Sequence, residues 1–300
     1  MKGMVFTTGT PDTIKLVRSF LSVVPESEVI QYDTCPSSAN NQAHLLQQVR
    51  AREPNVIVWI GAIKEQHNMW VPSTQELCEI NRLVPMVHVC SDAADDPWWG
   101  NLEDFHANGA FALQVTIDGS RSSPIGRFGM VALTPVHHEW FPENPSYANR
   151  AVHCGFAGGV GCRVDILNPI NEAGLLTHFG NGGHGAPYEE LCQFYTTCRT
   201  VVNDARTGST RKRHMKGRFV EAGMGGAVVL EPKDSPAGEW FTAGEEFLEW
   251  GSPAEAIEHI RQGDPQLARY EEMGRRMRAR MVAEHSAPVF WAEVFRRIGV

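Results

Sequence analysis

The chain reads as α/β, two doubly wound domains in tandem, and three observations predict it. Short apolar runs recur without alternation, as in Val56-Ile57-Val58-Trp59-Ile60 and Ala227-Val228-Val229-Leu230, which is the pattern of parallel strands buried on both faces. Segments of helical period separate those runs, so strand and helix alternate. The rhythm breaks once, over Thr134 to Arg150, where Pro135, Pro142 and Pro145 stand among aromatics and histidines and no helical period survives. With 300 residues, each domain is long enough to bury a core of its own.

Met4 to Thr7 is the first strand, and Thr10-Pro11 caps and opens a helix whose buried face is marked by Ile14, Val17 and Leu21, with Leu16 and Phe20 alongside. Val29 to Tyr32 is the second strand, followed by a helix from Asn40 to Arg52 with Leu45, Leu46 and Val49 inward. Ser73-Thr74-Gln75-Glu76 is a capping box opening a helix that buries Leu77 and Ile80, before the strand Pro85 to Cys90. Ligands of such a sheet gather beyond the carboxyl ends of its strands. There stand His67, Asp92, Asp95 with Asp96, and Asp118, all able to accept a proton. Asp95-Asp96-Pro97 and Asp118-Gly119 also read as plain turns.

The pattern restarts at Val152 to Ala157, a strand that runs through Gly158-Gly159-Val160-Gly161 into a helix from Cys162 to Ala173. A glycine turn between strand and helix lets a phosphate approach the backbone, and Arg163 adds a formal charge there. Leu175 to Phe179 and Tyr188 to Thr197 make the next strand and helix, and Thr200 to Asn203 leads into a loop carrying Arg206, Arg211, Lys212, Arg213, Lys216 and Arg218. A short helix with Glu221 follows, and Gly223, Gly225 and Gly226 turn the chain into the strand Ala227 to Leu230. Cations beside a helix N-terminus favour an anion. Glu221 in that setting fits neutral hydroxyls, as on the ribose of a nucleotide. Phe247 to Trp250, a helix capped by Ser252, a longer helix from Asp264-Pro265 and a last one from Val289 to Ile298 complete the chain. Arg275, Arg276, Arg278 and Arg280 are expected on the solvated face of the longer helix.

Bulk composition narrows the classes. Net charge is −8, which argues against nucleic acid or an anionic membrane as the main partner. No apolar run approaches the roughly 20 residues of a membrane span, and the chain enters a strand almost at once, so a cytoplasmic location is expected. Seven cysteines, an odd number without a C-x-x-C pair, fit reduced thiols. Cys154 and Cys162 near His153 match no common zinc spacing, so no metal is expected. The Gly158 turn is not G-x-G-x-x-G and lacks an acid at the dinucleotide distance, so no redox cofactor is expected.

The order Phe156-Ala157-Gly158-Gly159 with Arg163, then Arg218-Phe219-Val220-Glu221-Ala222-Gly223 with Gly225-Gly226, then Trp240-Phe241 with Gly244-Glu245-Glu246, then Glu284-His285-Ser286, resembles the C-terminal half of GT-B glycosyltransferases. The nearest kinds are CgeB-like proteins and group 1 glycosyl transferases. The resemblance implies two Rossmann-like domains facing across a cleft: residues 1–140 taking the acceptor, residues 141–284 taking the nucleotide-sugar, and residues 285–300 forming a helix that packs back on the first domain. Glu221 then binds ribose, Gly158, Gly159 and Arg218 surround the diphosphate with Arg163, Asn203 and Arg211 nearby, and Glu246 is the later acidic position. The implied activity is metal-independent transfer of a hexosyl group from a UDP- or GDP-sugar to a glycan, lipid-linked or protein acceptor, with a homodimer among the allowed assembly states. Asp92 is the first choice of base for an inverting reaction and His67 the second. One departure stands out: Arg213 occupies the place where many relatives carry a second, sugar-facing acid. That leaves a catalytically inactive nucleotide-sugar binding protein and a nucleotide-sugar epimerase as rival readings.

Overall fold

The computed structural model of the protein describes residues 1–7, 11–31, 38–61, 72–91, 93, 102–121, 123–142, 145–180, 187–206 and 213–300. The chain divides into two compact units, Met1–Pro135 with Ala287–Val300, and Val136–Ser286.

In the first unit β1 (Gly3–Thr7), β2 (Glu28–Gln31), β3 (Val56–Ile60), β4 (Met86–Cys90), β5 (Leu113–Thr116) and β6 (Met130–Val131) form one sheet in the order β2-β1-β3-β4-β5-β6. Every pairing is parallel. The apolar runs form strands here because helices cover both faces. On one face α2 (Ser38–Arg52), α3 (Thr74–Leu83) and α4 (Leu102–Ala107) bring Leu45, Val49, Leu77, Ile80, Leu102 and Phe105 onto Ile57, Trp59 and Met86. On the other face α1 (Pro11–Leu21) and α10 (Ala287–Ile298) set Leu16, Phe20, Phe290, Trp291 and Val294 against Val5, Val58 and Val87. Ser73 accepts a hydrogen bond from the Glu76 N–H at 3.2 Å, so the expected cap opens α3.

The face of α1 departs from expectation. Ile14 is 44% exposed, while Leu16, Ser19 and Phe20 are buried. The cause lies at the far end of the chain: Trp291 of α10 packs edge-on against Phe20 at 4.9 Å and donates its indole N–H to Ser19 Oγ at 3.1 Å. Leu16 and Phe20 are inward as expected, and Ser19 is buried beside them where it accepts the indole N–H.

In the second unit β7 (Val152–Ala157), β8 (Leu176–Phe179), β9 (Cys198–Val202), β10 (Val228–Pro232) and β11 (Leu248–Trp250) form a parallel sheet in the order β11-β10-β9-β7-β8. Its helices are α5 (Val164–Glu172), α6 (Tyr188–Thr197), α7 (Gly217–Met224), α8 (Pro253–Gln262) and α9 (Leu267–His285). The order reverses between β7 and β9, so the chain leaves those neighbouring strands toward opposite sides. Such a point opens a crevice at the carboxyl ends of the strands. Gly158 and Asn203 directly follow β7 and β9, which places them at that point.

Below it the packing is close. Gly226 takes φ +67° to turn α7 into β10, and a Cβ on Gly274 of α9 would come within 2.3 Å of the Gly226 carbonyl. Arg150 is buried and donates to the carbonyls of Cys198 and Gly225, at 2.9 and 3.1 Å. The arginines of α9 are not uniformly solvated, since Arg278 reaches the Met224 carbonyl at 2.7 Å.

Candidate functional site

The site is built on the first turn of α7. Arg218 lies there, only 9% exposed, with its guanidinium 4.2 Å above the ring of Phe156. Its Nε donates to the Ala157 carbonyl and its Nη1 to Asn203 Oδ1 at 2.7 Å. Nη2 is left at the Gly158 turn. Gly158 has φ +128°, and a Cβ there would stand 2.4 Å from Nη2. Both the backbone angle and the space call for glycine at this position. His178 fixes the turn from the other side, its Nε2 3.0 Å from the Gly158 carbonyl. A planar guanidinium held by a ring below and two bonds at its side presents one nitrogen in a set direction. Burial lowers the Arg218 pKa from its usual range, which marks the cost of keeping this cation out of water.

Asn203 is fully buried. Both ends of its amide are used within the protein, because Nδ2 donates to Glu231 Oε2 at 2.6 Å. Its part in the site therefore runs through Arg218. Glu231, also fully buried, takes a second bond from Ser235 Oγ at 2.5 Å. Desolvation pushes its carboxyl up to about 7.

Glu221 lies one turn after Arg218, on the same side of α7. Its carboxylate is 3% exposed and accepts the Tyr188 hydroxyl at 3.0 Å. Burial first, and the Glu221 charge second, raise the Tyr188 pKa well above its usual value, so the phenol stays a donor. One helix thus carries a cation directed at a glycine turn and a carboxylate held by a phenol. That pair suits a ligand with an anionic end and a hydroxyl-bearing end.

The other expected residues are placed as follows. Arg163 ties the glycine turn down, donating Nη1 to the Gly159 carbonyl at 2.9 Å and Nη2 to the Arg206 carbonyl at 3.2 Å. The arginines at the ends of the basic loop are neutralised, contrary to a uniformly anion-seeking loop. Arg206 pairs with Asp204 at 2.5 Å and Asp165 at 2.6 Å, and Arg213 pairs with Asp204 at 3.2 Å and Asp234 at 2.7 Å. Glu246 is turned inward, its Oε2 accepting the Thr242 N–H at 2.7 Å and Arg280 Nη1 at 2.8 Å. Asp92, His67 and Arg211 lie outside the described residues, as do Asp95, Asp96 and Lys212. Asp118 is buried and accepts the Thr116 hydroxyl at 3.0 Å. Glu231, Tyr188 and Asp204 were missed from the sequence. Glu231 and Tyr188 meet partners far along the chain, Asn203 and Glu221, whereas Asp204 is paired by Arg206, two residues on, and by Arg213.

Comparison with known proteins bears on the fold. The family described as glycosyl transferase-like matches residues 163–294. No curated protein matches the chain by sequence. Among solved structures, HepE from Anabaena in complex with UDP and glucose is similar at a TM-score of 0.66 and 13% identity, over 100% of this chain and 99% of that one. Sucrose-phosphate synthase from Thermosynechococcus elongatus is similar at 0.59 and 9%, over 99% of each chain. A protein of Listeria monocytogenes assigned as a UDP-N-acetylglucosamine 2-epimerase is similar at 0.61 and 12%, over 98% of this chain and 95% of that one. The chain has the two-sheet GT-B fold, and from residue 163 to residue 294 it matches the glycosyl transferase-like family.

Proposed function

We propose that the protein is a glycosyltransferase that moves a sugar from a nucleoside diphosphate, with UDP-sugars the first candidates and GDP-sugars the second, to an acceptor hydroxyl. The observation that carries this reading is the pair on α7: Arg218 directed at the Gly158 turn and the buried carboxylate of Glu221 one turn on. The resemblance to HepE, which holds UDP and glucose in its crystal, supports a uridine donor.

In such a reaction the acceptor oxygen attacks the anomeric carbon, and the bond from that carbon to the β-phosphate oxygen breaks with its electron pair going to the diphosphate. The growing negative charge is the main thing to stabilise. A fixed, desolvated guanidinium meets it without reorganising, and the N-terminal end of α7 adds its partial positive charge. This device works without a metal ion, so transfer is expected to survive chelator. The acceptor proton goes to a base, for which Asp92 and then His67 are proposed.

A thermal shift against UDP-, GDP-, dTDP- and CDP-sugars tests the donor. Ligand at a hundred times its dissociation constant adds about 2.7 kcal/mol, which moves the midpoint by several degrees. Stabilisation by the UDP compounds, and UDP release on adding an acceptor, are expected; silence across the panel contradicts the reading. The likeness to a protein assigned as an epimerase keeps a second reading. Recovery of an epimerised sugar nucleotide without acceptor would favour it.

A further inference from the structure

Behind Arg218 runs a line of hydrogen-bonded polar groups, two of them fully buried and the last, Ser235, partly exposed. Arg218 Nη1 donates to Asn203 Oδ1 at 2.7 Å, Asn203 Nδ2 donates to Glu231 Oε2 at 2.6 Å, and Ser235 Oγ donates to Glu231 Oε1 at 2.5 Å. Asn203 and Glu231 are both fully buried. Asn203 follows β9 and Glu231 lies one residue before the end of β10, neighbouring strands whose register pairs Leu230 with Val202.

An asparagine amide is nearly symmetric in shape, and its orientation is set by what its two ends meet. A carboxylate only accepts. Above about pH 7, where Glu231 is ionised despite its raised pKa, Nδ2 must face Glu231 and Oδ1 must face Arg218. The opposite rotamer would set an NH2 against the guanidinium and an oxygen against the carboxylate, opposing both neighbours. Phe156 fixes the plane of Arg218, while Asn203 and the Ala157 carbonyl fix its rotation within that plane. Nη2 is what remains for the Gly158 turn.

We infer that Glu231 is a positioning residue of the anion site: through Asn203 it holds Arg218 so that Nη2 faces the Gly158 turn. The inference rests on the donor reading above, with the diphosphate as the anion. Glu231→Gln keeps the shape but removes the charge that holds Asn203 Nδ2, so only the guanidinium is left to set the amide.

The test is a set of titrations above the Glu231 pKa of about 7, with two probes, UDP by calorimetry and uridine by ligand-observed NMR. Glu231→Gln is expected to weaken UDP about tenfold, the scale of a charge-assisted hydrogen bond, and to leave uridine within about twofold. In an Arg218→Met background the same substitution is expected to change UDP affinity by less than about twofold, since its effect acts through Arg218. Equal losses for UDP and uridine, or a further tenfold loss in the Arg218→Met background, overturn the inference and leave the donor reading standing. If Glu231→Gln does not fold, Ser235→Ala carries the test. A loss of about threefold for UDP and none for uridine supports the inference, and unchanged UDP affinity overturns it. Wild-type protein that binds no UDP overturns the inference and the donor reading together.

Discussion

Each unit buries a set of polar side chains in its parallel sheet, and the two sets are made differently. In the first unit, strand register places Trp59, His88 and Gln114 side by side across β3, β4 and β5. His88 Nε2 meets the Gly61 carbonyl at 2.9 Å and its ring stacks on Phe111. Its Nδ1, and both polar atoms of the Gln114 amide, have no hydrogen-bond partner among the described residues. In the second unit Ser235, Glu231, Asn203 and Arg218 are bonded in succession and end at a nitrogen beside a glycine turn. The difference lies in position along the strands. A polar group in the body of a sheet is walled in by helices, whereas groups at the carboxyl ends at a reversal of strand order can be directed outward. The first set costs stability; the second, on the inference above, orients a charge.

The strongest way to break that contrast is Arg218→Met, which keeps the stem over Phe156 and removes the charge. It is expected to lower kcat/KM for the UDP-sugar by about 10²–10³, the scale for losing a preorganised donor to a developing anion. Full activity with reduced stability would make Arg218 as structural as His88.

The next effect concerns His88 and pH. Burial holds its pKa at about 4, below the 6.5 or so of an unfolded histidine. Between those values the unfolded chain binds a proton that the native state refuses, so stability falls as pH falls through the window, by up to about 3 kcal/mol. Urea unfolding of His88→Gln is expected to lose the His88 share of that slope and keep the share of His285, which burial also holds at about 4. A variant with the wild-type slope would show that another group sets the acid limb.

Glu221→Gln sharpens the ligand side of the contrast. It is expected to weaken UDP about tenfold or somewhat more, and 2′-deoxy-UDP less, because a charged acceptor for ribose hydroxyls is lost. Equal losses for the two nucleotides would remove Glu221 from the ribose. The smallest effect belongs to Gln114→Met. Replacing an unpaired buried amide by an apolar chain of like shape is expected to be neutral or to stabilise by about 1 kcal/mol. A clear fall in the thermal midpoint would mean that the amide has a partner, such as a buried water.

Much of the fold was legible because the alternation of buried strand and helix is written in short windows. Val152 to Ala157 and Tyr188 to Thr197 form the strand and helix expected of them, each bounded by glycine or proline. What failed was whatever a distant residue decides. Ser19 is buried because Trp291 needs an acceptor, and nothing near Ser19 announces it. Glu231 reads as the polar end of an apolar strand, and only the register of β9 beside β10 brings Asn203 onto it. In the same way Arg206 and Arg213 read as a basic loop until Asp165, Asp204 and Asp234 are seen against them. Arg218 and Glu221 could be read as a pair because they stand three positions apart on one helix, a spacing that places both on one side.

The most direct measurement is a crystal structure of the protein with UDP bound. The account predicts a diphosphate oxygen within about 2.7–2.9 Å of Arg218 Nη2, over the Gly158 turn, with the ribose hydroxyls on the Glu221 carboxylate. UDP bound elsewhere, or bound with the Glu221 carboxylate still facing only Tyr188 and other protein groups, would contradict it.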